Sequence, residues 1–457
     1  MIKQLRTLIY FEWLNFKAEK GLMLFMLVIF SAGLYGIFSG HSQITAERKR
    51  IAALDGLYQD NIKEMKSKYP DSADAGDIGY YHSVYAKNKP DNWAMLSIGQ
   101  RDISPSYLKI RLLAVQNQLY AAENTNPYKL SVGSFDLSFV FVFLFPLFIV
   151  AISFNVLSQE KEQGTLALLL SFPLKLQTFL LAKFIFRFLL VLMLVFTLSV
   201  IGWLWIRAEI DGRAIAWLSL TILYVLFWFA ISFCIIALKR NSAFNAVSLL
   251  GIWLLIVIII PVLVNTVSEI KIPVDDGLKL SLIQRQEVHG GWDKPRGRTM
   301  QRFFARHPEL KDTASVEGAF KWKWYFAFQE LGDAAVEPIF QTYIQKLNKR
   351  AALASSLNVL SPAAKLQQAM NSISATNYTA QLDFMLETKK YHERLKAFYY
   401  PFLFKDEAFL HDDFSKEPQF EYLAKTDWKQ VNHSAIAILL STFIVTGLGF
   451  VIFKSVK

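Results

Sequence analysis

The sequence predicts an all-α membrane protein with six transmembrane helices, and three observations carry that prediction. Hydrophobic residues make up 53% of the 457-residue chain and aromatic residues 15%, above the roughly 45–50% apolar content of soluble domains, and mean hydropathy is +0.28. The apolar residues gather into long runs, such as 137–157 and 179–206, each able to cross a hydrocarbon core of about 30 Å. The formal charge of +11 is unevenly placed, because the polar stretches 40–135 and 265–434 carry only +2 each and the remainder flanks the apolar runs. A nucleic-acid groove would instead cluster its Lys and Arg on one soluble face, so no nucleic-acid partner is expected.

Taken in order, the spans are predicted at 22–38, 137–157, 179–206, 214–238, 243–264 and 435–453. The first follows a basic segment with Lys3, Arg6, Lys17 and Lys20. Such a start also describes a signal peptide, but the leading segment is long and no clear Ala-x-Ala site follows, so an uncleaved first span is expected. Lys161, Lys175, Lys183, Arg187, Lys239, Arg240, Lys454 and Lys457 fall on the same side as that segment, against Arg207 and Arg213 on the other. The positive-inside rule then places both termini in the cytoplasm. The predicted organisation is 1–39 for the N-terminus and first span, 40–135 for a first extracytoplasmic insertion, 136–264 for spans two to five, 265–434 for a second insertion, and 435–457 for the last span and C-terminus.

Trp203, Trp205 and Trp217 surround the short outer loop, where amphipathic indoles settle. Pro146 would kink the second span, either as tolerated packing or as a hinge. In the first insertion Ile51, Leu54, Leu57 and Tyr58 recur at helical spacing, predicting that 44–68 extends the first span outward. Helix is also expected over 106–122. The second insertion is expected to start irregularly around Gly290, Gly291, Pro295 and Gly297, then to be helical over 322–398. It should pack with 44–68.

Little in the chain suggests catalysis. Cys234 is the single cysteine and lies in an apolar run, which excludes an intrachain disulfide and a Cys-based zinc site. No Gly-x-x-x-x-Gly-Lys-Ser/Thr loop occurs to cradle phosphates, so energy must come from a partner or a gradient. Mid-span positions are apolar or mildly polar, as at Asn155, Ser232 and Asn245, and show no proton relay. Lys183 and Arg187 share one face near the start of the third span and read as anchors that snorkel to the surface. His41, His82, His289, His307, His392, His411 and His433 all fall in the outer regions without metal-ligand spacing. No cofactor or metal is expected in this chain.

The most informative stretch joins spans two and three, from Ser158 to Pro173. It reads as one short helix on the membrane surface, with Glu160 and Glu162 in a first turn where the helix dipole favours acids, Leu166, Leu169 and Leu170 on an apolar face, and Pro173 as its stop. A generic amphipathic connector would look much the same. The order Glu160, Glu162, Gly164, Thr165, Leu166, a Leu-rich turn, Ser171, Pro173 and then Lys183 resembles the hallmark of type-2 ABC exporter permeases. The match is close over 137–195. Ser361, Pro362, Gln367, Thr376, Tyr391 and His392 resemble the outer-domain signature of a poorly characterised branch with large extracytoplasmic insertions.

That resemblance implies a permease subunit that is not itself an enzyme, with 158–175 as a coupling helix seated on a cytoplasmic ABC ATPase. ATP and Mg would then bind in the partner chain. It further implies a second permease subunit, identical or related, in a bacterial inner membrane. Three functional readings stay open at this point: an exporter, a non-transporting mechanotransmission complex acting on an envelope partner, and a membrane-anchored receptor or scaffold. Substrate identity does not follow from the sequence.

Overall fold

A computed structural model describes residues 2–119, 134–171, 176–311 and 316–455. The chain runs through α1 (Ile2–Ala18), α2 (Lys20–Lys68), α3 (Ala75–Tyr81), β1 (Val84–Lys87), β2 (Tyr107–Ile110), α4 (Val115–Leu119) and α5 (137–153). Then follow α6 (Ser158–Glu162), α7 (Thr165–Ser171), α8 (Leu176–Ile206), α9 (Gly212–Ala237) and α10 (Ser242–Lys271). The second polar region holds α11 (Asp276–Gly290), α12 (Arg296–Arg306), α13 (Trp322–Leu357), α14 (Pro362–Ile373) and α15 (Tyr378–Phe404), and α16 (Trp428–Ser455) closes the chain.

Among the described residues six helices are long and apolar enough to cross a membrane: α2, the run through α5 to Glu162, α8, α9, α10 and α16. They match the six predicted spans. The bundle is centred on α5 and α9, whose Phe141, Phe145, Phe148, Trp217, Tyr224 and Trp228 are fully buried together. α10 and α16 leave most of their apolar surface open, a distribution suited to acyl chains. Two spans contain a π-helical turn, Val140–Leu144 and Leu255–Ile259, just ahead of Pro146 and Pro261. Proline has no N–H to donate, and nearby carbonyls find donors elsewhere. Tyr224 Oη donates to Val142 O at 2.9 Å, and Ser361 Oγ to Ile256 O at 2.6 Å. Pro146 therefore sits in a packed, satisfied stretch of the bundle.

α2 continues without a break from the apolar bundle into the polar half, as its helical periodicity predicted. Its last turns carry Tyr58, Ile62 and Met65 into a second core with Trp324, Phe326, Phe328, Tyr391 and Leu395. The first and second polar regions thus form one body. α11 runs antiparallel to α13, pairing Asp276 with Lys346 at 2.6 Å and Asp333 with Gln284 at 3.2 Å, over a small core of Leu280, Val336 and Phe340.

Two expectations for the polar regions are corrected. The stretch 106–122 is not a helix: Tyr107–Ile110 is a strand paired antiparallel with Val84–Lys87, with Val84 opposite Ile110. Only Val115–Leu119 is helical, and 120–133 lies outside the described residues. The start of the second region is more regular than its glycines suggested, since α11 and α12 fill most of it. Gly290, Gly291 and Pro295 mark the turn between those helices.

The second polar region also enters the bundle core, where α14 contributes Leu366, Ala369 and Met370 and meets a buried polar knot. The Asp136 carboxylate accepts from Ile98 N at 2.8 Å, Ser138 Oγ at 2.7 Å and Phe139 N at 2.8 Å. Ser97 Oγ donates to Asn371 Oδ1 at 2.7 Å, Gln367 Nε2 to Ser138 Oγ at 3.0 Å, and Thr376 Oγ1 to Ser97 O at 2.9 Å. Glycine makes this closeness sterically feasible on α2. A Cβ on Gly40 would lie 1.9 Å from Met95 O, and one on Gly36 would lie 2.8 Å from Asp136 O.

Candidate functional site

The segment between the second and third spans folds as two short helices, not the single helix expected. α6 ends at Glu162, and α7 begins at Thr165. Gly164 stands between them with φ +74, a left-handed conformation that glycine adopts without the steric cost other residues meet. No atom outside its chain neighbours comes within 4 Å of a Cβ built there. Backbone handedness, rather than close approach of this chain, therefore accounts for glycine at this position.

The two acids are engaged within the chain. Glu160 Oε1 accepts from Lys183 Nζ of α8 at 2.8 Å, and its other oxygen accepts from Thr165 Oγ1 across the turn. Lys183 Nζ also lies 3.6 Å from Glu12 of α1 and donates to Val156 O at 3.3 Å. Arg187 reaches the same Glu12 at 3.8 Å. Lys183 and Glu12 are buried, so the expectation that Lys183 and Arg187 snorkel to the surface is corrected. Both face inward, where Glu12 and Glu160 offset the cost of burying their charge.

Glu162 serves a second joint. Its carboxylate accepts from Ser242 N at 2.7 Å and Ser242 Oγ at 2.9 Å, at the start of α10. An acid there meets both unpaired amide donors and the positive end of the helix dipole. Ser158 and Ser242 hydroxyls meet at 2.7 Å, and Lys161 Nζ donates to Lys239 O at 3.0 Å. The loop between spans two and three is thereby tied to the loop between spans four and five, as well as to α1.

Leu166 packs toward Val156, Leu157, Leu180 and Ile236, and Leu169 is half-buried. Leu166 and Leu169 thus turn inward, as a helix seated on span ends requires, while the side chain of Leu170 lies outside the described residues. Leu168 points the other way and is 64% exposed. Together with exposed Gln163, Gly164 and Ala167 it forms the outward surface of the segment. Sequence reasoning missed Leu168 because five of the seven residues of α7 are apolar, which blurs its amphipathic pattern. Pro173 lies outside the described residues.

The outer signature residues are placed by the same contacts that build the fold. Ser361 accepts from Ala364 N at 3.1 Å to start α14 while donating to α10, and Gln367 and Thr376 belong to the polar knot. Tyr391 Oη donates to Pro418 O at 3.0 Å, and His392 is buried, its imidazole pushed down to about 3 by desolvation and then by nearby Lys396. Among the other histidines, His82 meets Glu417 at 3.1 Å and His307 meets Glu330.

Residues 106–267 match the family model of the ABC-2 family transporter proteins, and residues 280–423 match a domain of unknown function, DUF3526. No curated protein and no solved structure matches the chain.

Proposed function

The chain carries the membrane domain of the ABC-2 family transporter proteins, and from that premise we propose that it is the permease subunit of an exporter driven by a separate cytoplasmic ABC ATPase. The observation that carries this reading is the way α6 and α7 are held. A short element that is cross-tied to α1, α8 and α10 by buried charge and hydrogen bonds moves with three helices at once. Its outward surface, Gln163, Gly164, Ala167 and Leu168, is exposed and includes a leucine open to solvent. Such a surface suits seating on a soluble motor.

In this reading Glu160, Glu162 and Thr165 position the element, Gly164 sets its bend, Leu166 holds it to the span ends, and Leu168 makes the contact. Pro173 ends it. ATP and Mg are handled by the partner, and a second permease subunit completes the complex in a bacterial inner membrane. The polar half stands outside that membrane, built from the two insertions.

Leu168→Glu tests the reading in purified complexes with the ATPase. The variant should insert and melt like the native chain, because Leu168 contacts solvent, but should lose ATPase association by roughly tenfold or more, as expected for a buried apolar contact turned into a charge. Association at the native level would refute this assignment.

A further inference from the structure

Helix α12 is the most lopsided in charge of the polar half: it holds Arg296, Arg298, Arg302 and Arg306 and no acid. Arg296 is committed to the fold, donating to Val316 O at 3.1 Å, Gly318 O at 3.0 Å and Ala319 O at 2.8 Å while stacking 4.4 Å over Trp324. The other three are exposed, at i, i+4 and i+8 on a stripe beside the buried face of Thr299, Met300 and Phe303. Among the described residues none of these three is paired with a carboxylate. Like charges set four residues apart repel, so the ridge costs stability without an internal return.

We propose that Arg298, Arg302 and Arg306 form a docking ridge for an acidic segment of an envelope protein. The inference rests on the outward placement of residues 265–434. Successive arginines are about 6 Å apart along the helix, close to the roughly 6.6–6.8 Å between alternate residues of an extended chain. An extended segment with carboxylates at alternate positions therefore meets all three guanidinium forks, each suited to bidentate capture. With α13 standing along the bilayer normal, the chain's own bilayer is out of reach. Arg350 of α13 lies beside Glu269 near the outer end of α10 at 3.7 Å, and His307 at the end of α12 meets Glu330. The 20 residues between Arg350 and Glu330 span about 30 Å of helix, several times the Debye length of about 8 Å in physiological salt.

The test uses the full chain in phosphatidylcholine nanodiscs and a fluorescent ten-residue peptide of alternating Glu and Thr, with an alternating Lys and Thr peptide as control. The native chain should bind the acidic peptide alone, and the triple variant R298Q/R302Q/R306Q should bind it at least about tenfold more weakly. Unchanged thermal unfolding would show that the buried face of α12 is intact; should the triple variant misfold, Arg302→Gln alone should weaken binding severalfold. Equal binding by native and variant chains overturns the proposal, as does no binding to the native chain. Variant-sensitive binding to phosphatidylglycerol vesicles but not to the peptide also overturns it, in favour of a lipid-reading surface. Failure here leaves ATPase association untouched, whereas failure of the permease reading appears in the Leu168→Glu complex.

Discussion

Lys183 of α8 and Glu160 of α6 lie 2.8 Å apart, with 5% and 17% of their side chains exposed, and a second acid from α1, Glu12, stands 3.6 Å from the same ammonium. The lysine is thus the common post of a joint between three elements. Breaking a buried pair from one side leaves a charge without compensation, which typically costs about 3–5 kcal/mol.

Lys183→Met should therefore lower the unfolding midpoint more than Glu160→Gln, since the glutamine leaves the lysine with Glu12. The double variant should cost less than the sum of the two, with a coupling of about 1–3 kcal/mol. Thermal unfolding of the four purified chains in one detergent measures this, and strict additivity would show that the pair does not interact.

Gly164 predicts a graded series. Alanine at φ +74 should cost about 1–2 kcal/mol, and asparagine less, because its side chain tolerates left-handed backbone. Neither meets a clash, as the space around the position is open. ATPase stimulation in reconstituted complexes should follow the same order, glycine above asparagine above alanine.

The glycines of α2 should not respond alike. A Cβ on Gly40 would press on the Met95 carbonyl at 1.9 Å, a backbone atom that cannot turn away, whereas at Gly33 the contact is the Leu198 side chain at 2.4 Å. Gly40→Ala should destabilise by about 3 kcal/mol or more, and Gly33→Ala by about 1 kcal/mol after the leucine repacks. Equal unfolding midpoints would refute the distinction.

Asp333 supplies a pH dependence. Burial pushes its carboxyl up from 3.8 to about 6, although Val115 N and Gln116 N donate to it. The folded value exceeds the unfolded one, so between about pH 4 and 6 the folded chain holds a proton that the unfolded chain has released. Stability attributable to this group falls as pH rises through that window and is constant above it. Relative to the native chain, Asp333→Asn should gain about 1–3 kcal/mol between pH 4 and pH 7, measured as the difference in unfolding midpoints.

Topology is tested by cysteine labelling. In a Cys234→Ser background, a cysteine replacing exposed Gln341 should react with an impermeant maleimide in intact spheroplasts. Reaction only after the inner membrane is opened would reverse the orientation.

Long-period signals were legible in the sequence, and pairings across it were not. The six apolar runs and the helical continuation of the first span depend on local hydropathy, and each appears where it was predicted. Strand Tyr107–Ile110 was missed because its four residues become a strand only through Val84–Lys87, some twenty residues upstream. Lys183 and Arg187 were read as surface anchors because their partner Glu12 lies about 170 residues away in the sequence. At the candidate site the positions of Glu160, Glu162 and Gly164 were legible, but their contacts were not. Dipole reasoning assigned both acids to their own helix, whereas Glu162 caps α10, reached through Ser242 eighty residues later.

The unbroken course of α2 sets a scale for movement. Its 49 residues form a rod about 73 Å long, rooted beside α1 at one end and built into the second core at the other. With no joint where it leaves the bundle, the rod converts angle into displacement. Tilting by roughly 5° about Lys20 would sweep Lys68 through about 6 Å, given that length, so a rearrangement smaller than one side chain at the N-terminal root of the rod arrives at the far end as a stroke longer than a helical turn.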